Sequence, residues 1–298
     1  MKILVTGAWV DAAVHIPEIV KKGHEVIFLQ NEKDALPCEY DDVEAVICNG
    51  LFLNHRIENF TNLKYIQLTS AGYDRVPMDY IREHGIKIFN AGGVYSIPMA
   101  EFAIAGVLQL YKKLSFFQDN KKGYKWEKNR GVLELNGKTV CIIGCGSVGT
   151  ECAKRFSAFG CRVLGLDVLS SDKEFFDEIK TMDNLENLIG QSDVVVLTLP
   201  LTEKTNHLIN ENTLSYFKKN SIIVNIARGK IIDTQALIEA LEESLGGAVL
   251  DVFEDEPLGE ESPLWDFENV IITPHNSFVG DGNSRRLREL IFKNLADK

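Results

Sequence analysis

The strongest constraint on this chain is a rhythm. Short apolar runs with almost no polar alternation recur along its length, separated by stretches of helical character. The first group is Lys2–Val5, Glu25–Leu29, Ala45–Cys48, Tyr65–Leu68 and Lys87–Phe89. The second is Thr139–Ile143, Arg162–Leu166, Val194–Thr198, Ile222–Ile226, Gly247–Leu250 and Val270–Ile272. A strand with one wet face alternates polar and apolar residues. A strand that reads apolar throughout is buried on both faces, as in parallel sheets covered by helices. Stretches such as Val14–Lys22 and Met78–His84 supply helices between the runs. The alternation therefore predicts an α/β fold with crossover connections, built as two doubly wound parallel sheets of five or six strands. At about 150 residues per domain, 298 residues suit two domains.

The break between them is expected near Asn90–Ile97, where Ala91-Gly92-Gly93 forms a turn cluster and Pro98 suits the first turn of a helix. Met99–Leu114 is apolar nearly all round, with Glu101 early and Lys112 and Lys113 late. It reads as a buried bridging helix with charges that complement its dipole. Lys121–Arg130 reads as an exposed basic loop. Ser284–Leu295 reads as a last amphipathic helix carrying Arg285, Arg286 and Arg288.

Thirty-two Lys and Arg against 43 Asp and Glu give a net charge of −11. That argues against a nucleic-acid partner, which needs basic patches, and against attraction to an anionic membrane. No apolar run is long enough to span a bilayer, and the N-terminus lacks the apolar region of a signal peptide. Six Cys with no CxxC and no regular spacing read as free thiols in the cytoplasm, with no metal site expected.

One turn carries chemistry. Val140-Cys141-Ile142-Ile143 runs into Gly144-Cys145-Gly146-Ser147-Val148-Gly149, and a helix follows to Phe159. In a GxGxxG turn between strand and helix, the first glycine permits the tight turn. The second lets the backbone approach a pyrophosphate, and the third lets the helix pack on the strand. The anion then meets free N–H groups at the positive end of the helix. The next strand ends in Asp167, 18 residues after Gly149. A carboxylate there accepts bonds from ribose hydroxyls and repels a 2′-phosphate. Val168, Leu169 and Ser170 offer no Arg, so the expected cofactor is NAD, not NADP. Gly7 has no second glycine near it, so the first domain is not expected to hold the dinucleotide.

Three later strands end in polar residues: Ile222–Ile226 is followed by Arg228, Gly247–Leu250 by Asp251 and Glu256, and Val270–Ile272 by His275. In open parallel sheets, ligands lie beyond the carboxyl ends of the strands. Hydride transfer between NAD and an alcohol also moves a hydroxyl proton, and His suits that role. A neighbouring carboxylate fixes the imidazole tautomer and stabilises the imidazolium. Arg holds a carboxylate bidentately. Singly, each has an ordinary alternative: a surface ion pair, a loop charge, a satisfied turn histidine. At matching strand ends they read as one site.

These residues bring a family into view. The sequence resembles the D-isomer-specific 2-hydroxyacid dehydrogenases, which include D-lactate, glycerate and 3-phosphoglycerate dehydrogenases. The resemblance is carried by Ser70-Ala71-Gly72-Tyr73-Asp74, Gly144–Gly149, Leu199-Pro200-Leu201-Thr202, Asn225–Gly229, Leu250–Leu258 and Thr273-Pro274-His275. It implies a Rossmann NAD-binding domain over 95–275. It also implies a discontinuous flavodoxin-like substrate domain formed by 1–94 and 276–298. It implies that Arg228 binds the substrate carboxylate and carbonyl oxygen, with His275 as acid/base and Glu256 as its partner. Ala71, Gly72 and Tyr73 would receive the substrate, while Asp167 holds the adenine ribose and Asp251 contacts the nicotinamide carboxamide. The glycine loop, Leu199, Pro200, Thr205, Ile226 and Ala227 would complete the cofactor site, with Cys145 a buried, inert thiol. The implied activity is hydride transfer between NAD(H) and a small 2-hydroxy or 2-keto acid in a homodimer.

Three rivals follow from the same residues. A 3-phosphoglycerate dehydrogenase would need a cation near the loops that carry Asn49, Leu51, His55, Arg56, Tyr73 and Arg75. From the length, that enzyme's added regulatory domain is not expected. A non-enzymatic NAD-sensing scaffold could keep Arg228, Glu256 and His275. A formate dehydrogenase is disfavoured by Glu256, because that chemistry releases no hydroxyl proton.

Overall fold

The apolar runs become strands of two all-parallel sheets. The structure, a computed structural model, describes every residue except Ser171, Asp297 and Lys298. The chain divides into two compact units, Met1–Tyr95 with Gly280–Lys298, and Ser96–Val279.

The first unit holds β1 (Lys2–Thr6), β2 (Glu25–Leu29), β3 (Ala45–Cys48), β4 (Tyr65–Leu68) and β5 (Lys87–Phe89), in the order β2-β1-β3-β4-β5. Helices α1 (Ala12–Lys21) and α2 (Met78–Glu83) and the C-terminal helix (Asn283–Ala296) complete it. Successive residues of one strand feed opposite cores. Ile3, Val5, Ala45 and Ile47 pack on one face. Leu4, Val46, Cys48 and Ile66 pack on the other. This double burial is why the runs carry no alternation. The C-terminal helix is tied in by polar contacts: Asn294 Nδ2 donates to Gln67 Oε1 at 2.8 Å, and Arg286 Nε to the Val94 carbonyl at 2.7 Å.

The second unit begins with α3 (Ser96–Tyr111) and α4 (Leu114–Lys122). Its strands are β6 (Thr139–Ile143), β7 (Arg162–Asp167), β8 (Glu178–Thr181), β9 (Val194–Leu197), β10 (Ile222–Asn225), β11 (Gly247–Leu250) and β12 (Val270–Ile272). They lie in the order β12-β11-β10-β9-β6-β7-β8. Between them run α5 (Ser147–Ala158), α6 (Leu185–Gln191), α7 (Glu211–Ser215) and α8 (Thr234–Glu243). The strand order reverses between β6 and β9, and ligands in such sheets settle beyond the carboxyl ends at that point.

Four details differ from the sequence reading. The larger sheet has a seventh strand, β8, at its edge, where only Ile179 is buried. Helix α3 starts earlier and ends earlier than expected, so Glu101 lies beyond its first turn and Lys112 and Lys113 past its end. Their charges are used laterally: Arg155 Nη2 donates to Glu101 Oε1 at 3.0 Å, and Lys112 Nζ to the Leu133 carbonyl at 2.7 Å. Lys121 and Lys122 close α4, and the exposed loop starts only at Gly123. The chain returns to the first unit at Gly280 and not directly after His275. The N–H groups of Asn276 and Ser277 bind the buried Asp251 carboxylate and hold that stretch in the second unit.

All six cysteines are free; five are buried and Cys38 is partly exposed. Among the described residues, no helix is long and apolar enough to cross a membrane.

Candidate active site

The glycine loop leaves β6 and enters α5 at the reversal of strand order. Gly144 sits at φ +98°, and a Cβ on it would lie 2.7 Å from the Leu199 nitrogen. A Cβ on Gly149 would lie 2.1 Å from the Gly144 carbonyl oxygen. Neither position admits a side chain. A Cβ on Gly146 would meet nothing within 4 Å, so the middle of the turn faces open space. Helix α5 starts with no side-chain cap and no acidic residue in its first turn. Its leading N–H groups and the positive end of its dipole therefore suit an anion. Thr198 Oγ1 fastens the turn by donating to the Gly144 carbonyl at 2.6 Å. These features fit a dinucleotide pyrophosphate.

Asp167, at the end of β7, accepts from the Cys145 N–H at 2.9 Å and from the Val168 N–H at 2.7 Å. Its carboxylate is thus held against the glycine loop. Lys173 donates to the Cys145 carbonyl at 2.6 Å. That cation lies beyond Val168, Leu169 and Ser170 in the sequence, and only the fold of the loop brings it back. The Cys145 thiol is fully buried, and burial, reinforced by Asp167, pushes it up to about 12. Such a thiol is inert at neutral pH. Leu199, Ile226 and Ala227 are buried behind the strand ends. Thr205 Oγ1 accepts from the Thr202 N–H at 2.7 Å and donates to the Pro200 carbonyl at 2.8 Å, closing the turn after β9.

Strands β10, β11 and β12 are neighbours in register, so their ends are neighbours too. His275 follows β12 in left-handed backbone, φ 51°. Its Nδ1 lies 2.9 Å from Glu256 Oε2, and both side chains are partly exposed. The other Glu256 oxygen accepts from the Phe253 N–H at 3.1 Å. The left-handed turn is held from below. Asp251 is fully buried and accepts from Thr273 Oγ1 at 2.6 Å, the Asn276 N–H at 2.7 Å and the Ser277 N–H at 2.9 Å. The His275 N–H itself donates to the Asp251 carbonyl at 2.8 Å. Asp251 therefore shapes the turn that presents His275. That role was hidden in the sequence because its donors lie more than twenty residues downstream. Arg228 is half-buried beyond β10, and its Nη1 donates to the Ala227 carbonyl at 2.7 Å. Asn225 steadies that corner by accepting from the Ala227 N–H and donating to the Arg228 carbonyl.

In the first unit, Ala71, Gly72 and Tyr73 follow β4. Asn90 Nδ2 takes the Ala71 carbonyl at 2.6 Å and Ser70 Oγ the Gly72 carbonyl at 3.3 Å. Among the described residues, no protein acceptor takes the N–H groups of Ala71 and Gly72. His55 is buried between the Tyr40 hydroxyl and the Glu32 carbonyl, so it serves the core. Glu32, which the sequence did not single out, accepts from the N–H groups of Asn49 and Gly50, both at 2.7 Å. Arg56 and Arg75 are exposed.

Comparison with known proteins gives this geometry a relationship. Residues 104–277 match the family profile described as "D-isomer specific 2-hydroxyacid dehydrogenase, NAD binding domain". The glyoxylate reductase of Thermofilum pendens is 34% identical over 272 residues, covering 89% of this chain and 78% of that protein. The glyoxylate reductase of Pyrococcus horikoshii is 36% identical over 248 residues, covering 80% and 74%. The structure of D-lactate dehydrogenase from Aquifex aeolicus, complexed with NAD and lactic acid, superposes with a TM-score of 0.80. It is 28% identical, covering 99% of this chain and 94% of that one. The chain belongs to the D-isomer-specific 2-hydroxyacid dehydrogenases, enzymes that pass a hydride between NAD(H) and a 2-hydroxy or 2-keto acid.

Proposed function

We propose that this chain reduces a short 2-keto acid to its D-2-hydroxy acid, with His275 as proton donor, Glu256 as its partner and Arg228 as carboxylate receptor. The observation that carries this reading is the 2.9 Å pair between Glu256 and His275 at strand ends adjoining Arg228. NADH, when bound, supplies the hydride. With Nδ1 committed to Glu256, Nε2 is the ring nitrogen left for the substrate oxygen. The carboxylate stabilises the imidazolium that donates the proton and fixes its tautomer. Arg228 presents a planar fork to the substrate carboxylate and polarises the adjacent carbonyl. The unclaimed N–H groups of Ala71 and Gly72, with Tyr73 beside them, are assigned to the substrate. Gly144–Gly149, Asp167, Leu199, Pro200, Thr205, Ile226 and Ala227 are assigned to the cofactor, while Asp251, fully buried with its carboxylate taken by three donors, acts through the His275 turn and not on the nicotinamide itself.

Glyoxylate is the first substrate to test, since relatives at 34% and 36% identity bear the name glyoxylate reductase. We assign the chain to a homodimer. Trp126 and Tyr124 are 99% and 98% exposed on the loop after α4, and a partner would cover them. The free cysteines suit a reducing, cytoplasmic setting.

The test is NADH consumption with glyoxylate, hydroxypyruvate, pyruvate and 3-phosphohydroxypyruvate. The expected result is turnover of an unphosphorylated acid that falls by about a hundredfold or more in His275→Gln. Tight NADH binding with no turnover of any acid would overturn the reading in favour of a sensing scaffold. Preference for the phosphorylated acid would replace the substrate class.

A further inference from the structure

Glu256 sits on a loop with little backbone support. From Val252 to Leu258 no backbone N–H donates to a backbone carbonyl among the described residues, and the Phe253 N–H goes to Glu256 itself. Something else must hold Glu256 at 2.9 Å from His275.

Two features do so. The first is backbone contact with the Arg228 corner. A Cβ on Gly229 would lie 1.9 Å from the Phe253 carbonyl carbon and 2.5 Å from the Glu254 nitrogen, so the loop rests directly on Gly229. The second is a second carboxylate–imidazole pair. Glu254 Oε2 lies 2.9 Å from His207 Nε2, and Glu254 Oε1 accepts from the Thr234 N–H at 2.7 Å. His207 is itself fixed in left-handed backbone, φ 47°, with its N–H on the Lys230 carbonyl at 2.8 Å and its own carbonyl taken by Asn210 Nδ2 at 2.9 Å. The other charged group facing it is Asp233, 3.9 Å from Nδ1. The loop thus places one carboxylate on each of two imidazoles, two residues apart.

We infer that Glu254 and His207 are positioning residues, a latch that seats the loop so that Glu256 can orient His275. The inference rests on the proposed role of His275. Burial pushes the Glu254 carboxyl up, but the Thr234 and His207 hydrogen bonds outweigh it and hold it below the usual carboxylate range. Glu254 therefore carries its charge throughout the neutral range. Acting through Glu256, it affects the chemical step and leaves cofactor affinity alone. A small displacement of an aligned catalytic group costs about ten- to hundredfold in rate.

The test combines spectroscopy with kinetics on the full chain. Imidazole nitrogen resonances of ¹⁵N-histidine-labelled protein are recorded, with His275 assigned by its loss in His275→Gln. In Glu254→Ala and His207→Ala the His275 Nδ1 resonance is expected to move in the direction seen in Glu256→Gln. In His207→Gln, whose amide reaches the place of Nε2, it is expected to return. In parallel, kcat with glyoxylate is expected to fall about tenfold or more in Glu254→Ala, with the NADH dissociation constant within about twofold of the parent. The double variant Glu254→Ala/Glu256→Gln is expected within about twofold of Glu256→Gln, because both act on one pair. Glu254→Gln keeps an acceptor for Thr234 and guards against a general loss of folding. An unmoved His275 resonance in Glu254→Ala, or multiplicative losses in the double variant, would overturn the latch. A parent inactive on every keto acid would instead sink the enzymatic reading, and the resonances would still decide the latch.

Discussion

At the scale of single residues, the site depends on polar groups whose partners are fixed before any ligand arrives. Asp251 shows this best. Removing its carboxylate leaves a hydroxyl and two N–H groups without their acceptor, the Ser277 N–H among them fully in the interior. Asp251→Ala is expected to cost about 3 kcal/mol, read as a lowered denaturation midpoint, because each buried donor left unmatched carries its full desolvation penalty. The same variant should lose turnover, since the His275 turn loses its support. Arg228→Lys is expected to raise KM for the keto acid much more than it lowers NADH affinity, because a point charge replaces a two-pronged fork. An unchanged KM would remove Arg228 from carboxylate binding. Arg228, Glu256 and His275 could be picked out in the sequence because each follows an apolar run that can only be a buried strand. His207 and Glu254 could not. They are 47 residues apart, and although Glu254 follows the same apolar run as Glu256, nothing in the sequence joins it to His207.

At the scale of elements, the glycine loop and α5 act as one part. A methyl group on Gly149 has no room against the Gly144 carbonyl, so Gly149→Ala must push α5 away from β6. NADH binding should weaken at least tenfold, followed by fluorescence titration, and the melting temperature should drop as well. A normal dissociation constant would show that the helix start does not receive the pyrophosphate. Most strands were legible because their two faces enter two different cores, which removes polar residues from the run. Strand β8 escaped because Glu178-Ile179-Lys180-Thr181 buries only Ile179 and looks like loop. Helix α3 was legible in type but shifted in register. Its flanking charges serve the neighbouring helix and loop and do not complement the dipole, so charge was a poor guide to its ends.

At the scale of the whole molecule, acid should be the weak side of stability. Burial pushes Asp193 up, but Lys218 and the Thr139 N–H together bring it below the usual range, as Thr234 and His207 do for Glu254. Carboxylates lowered on folding stabilise the native state above their unfolded values, and this is lost as pH falls through the lowered ones. Thermal midpoints should therefore fall steeply below about pH 4, and more gently in Asp193→Asn. Assembly is tested at the same scale: sedimentation should show a dimer for the parent and a monomer when Trp126 and Tyr124 are both changed to Ser. The cysteines have a practical consequence. Five of them are sealed inside, and burial holds their thiols above the ordinary value, to about 12 for Cys145 and Cys152 and about 11 for Cys161. Cys38 alone is partly open, although its thiol is raised as well, by burial and by Asp42. A maleimide dye at mildly alkaline pH should therefore label the unmodified protein once, on the first unit, giving a fluorescent reporter of that unit without any mutation.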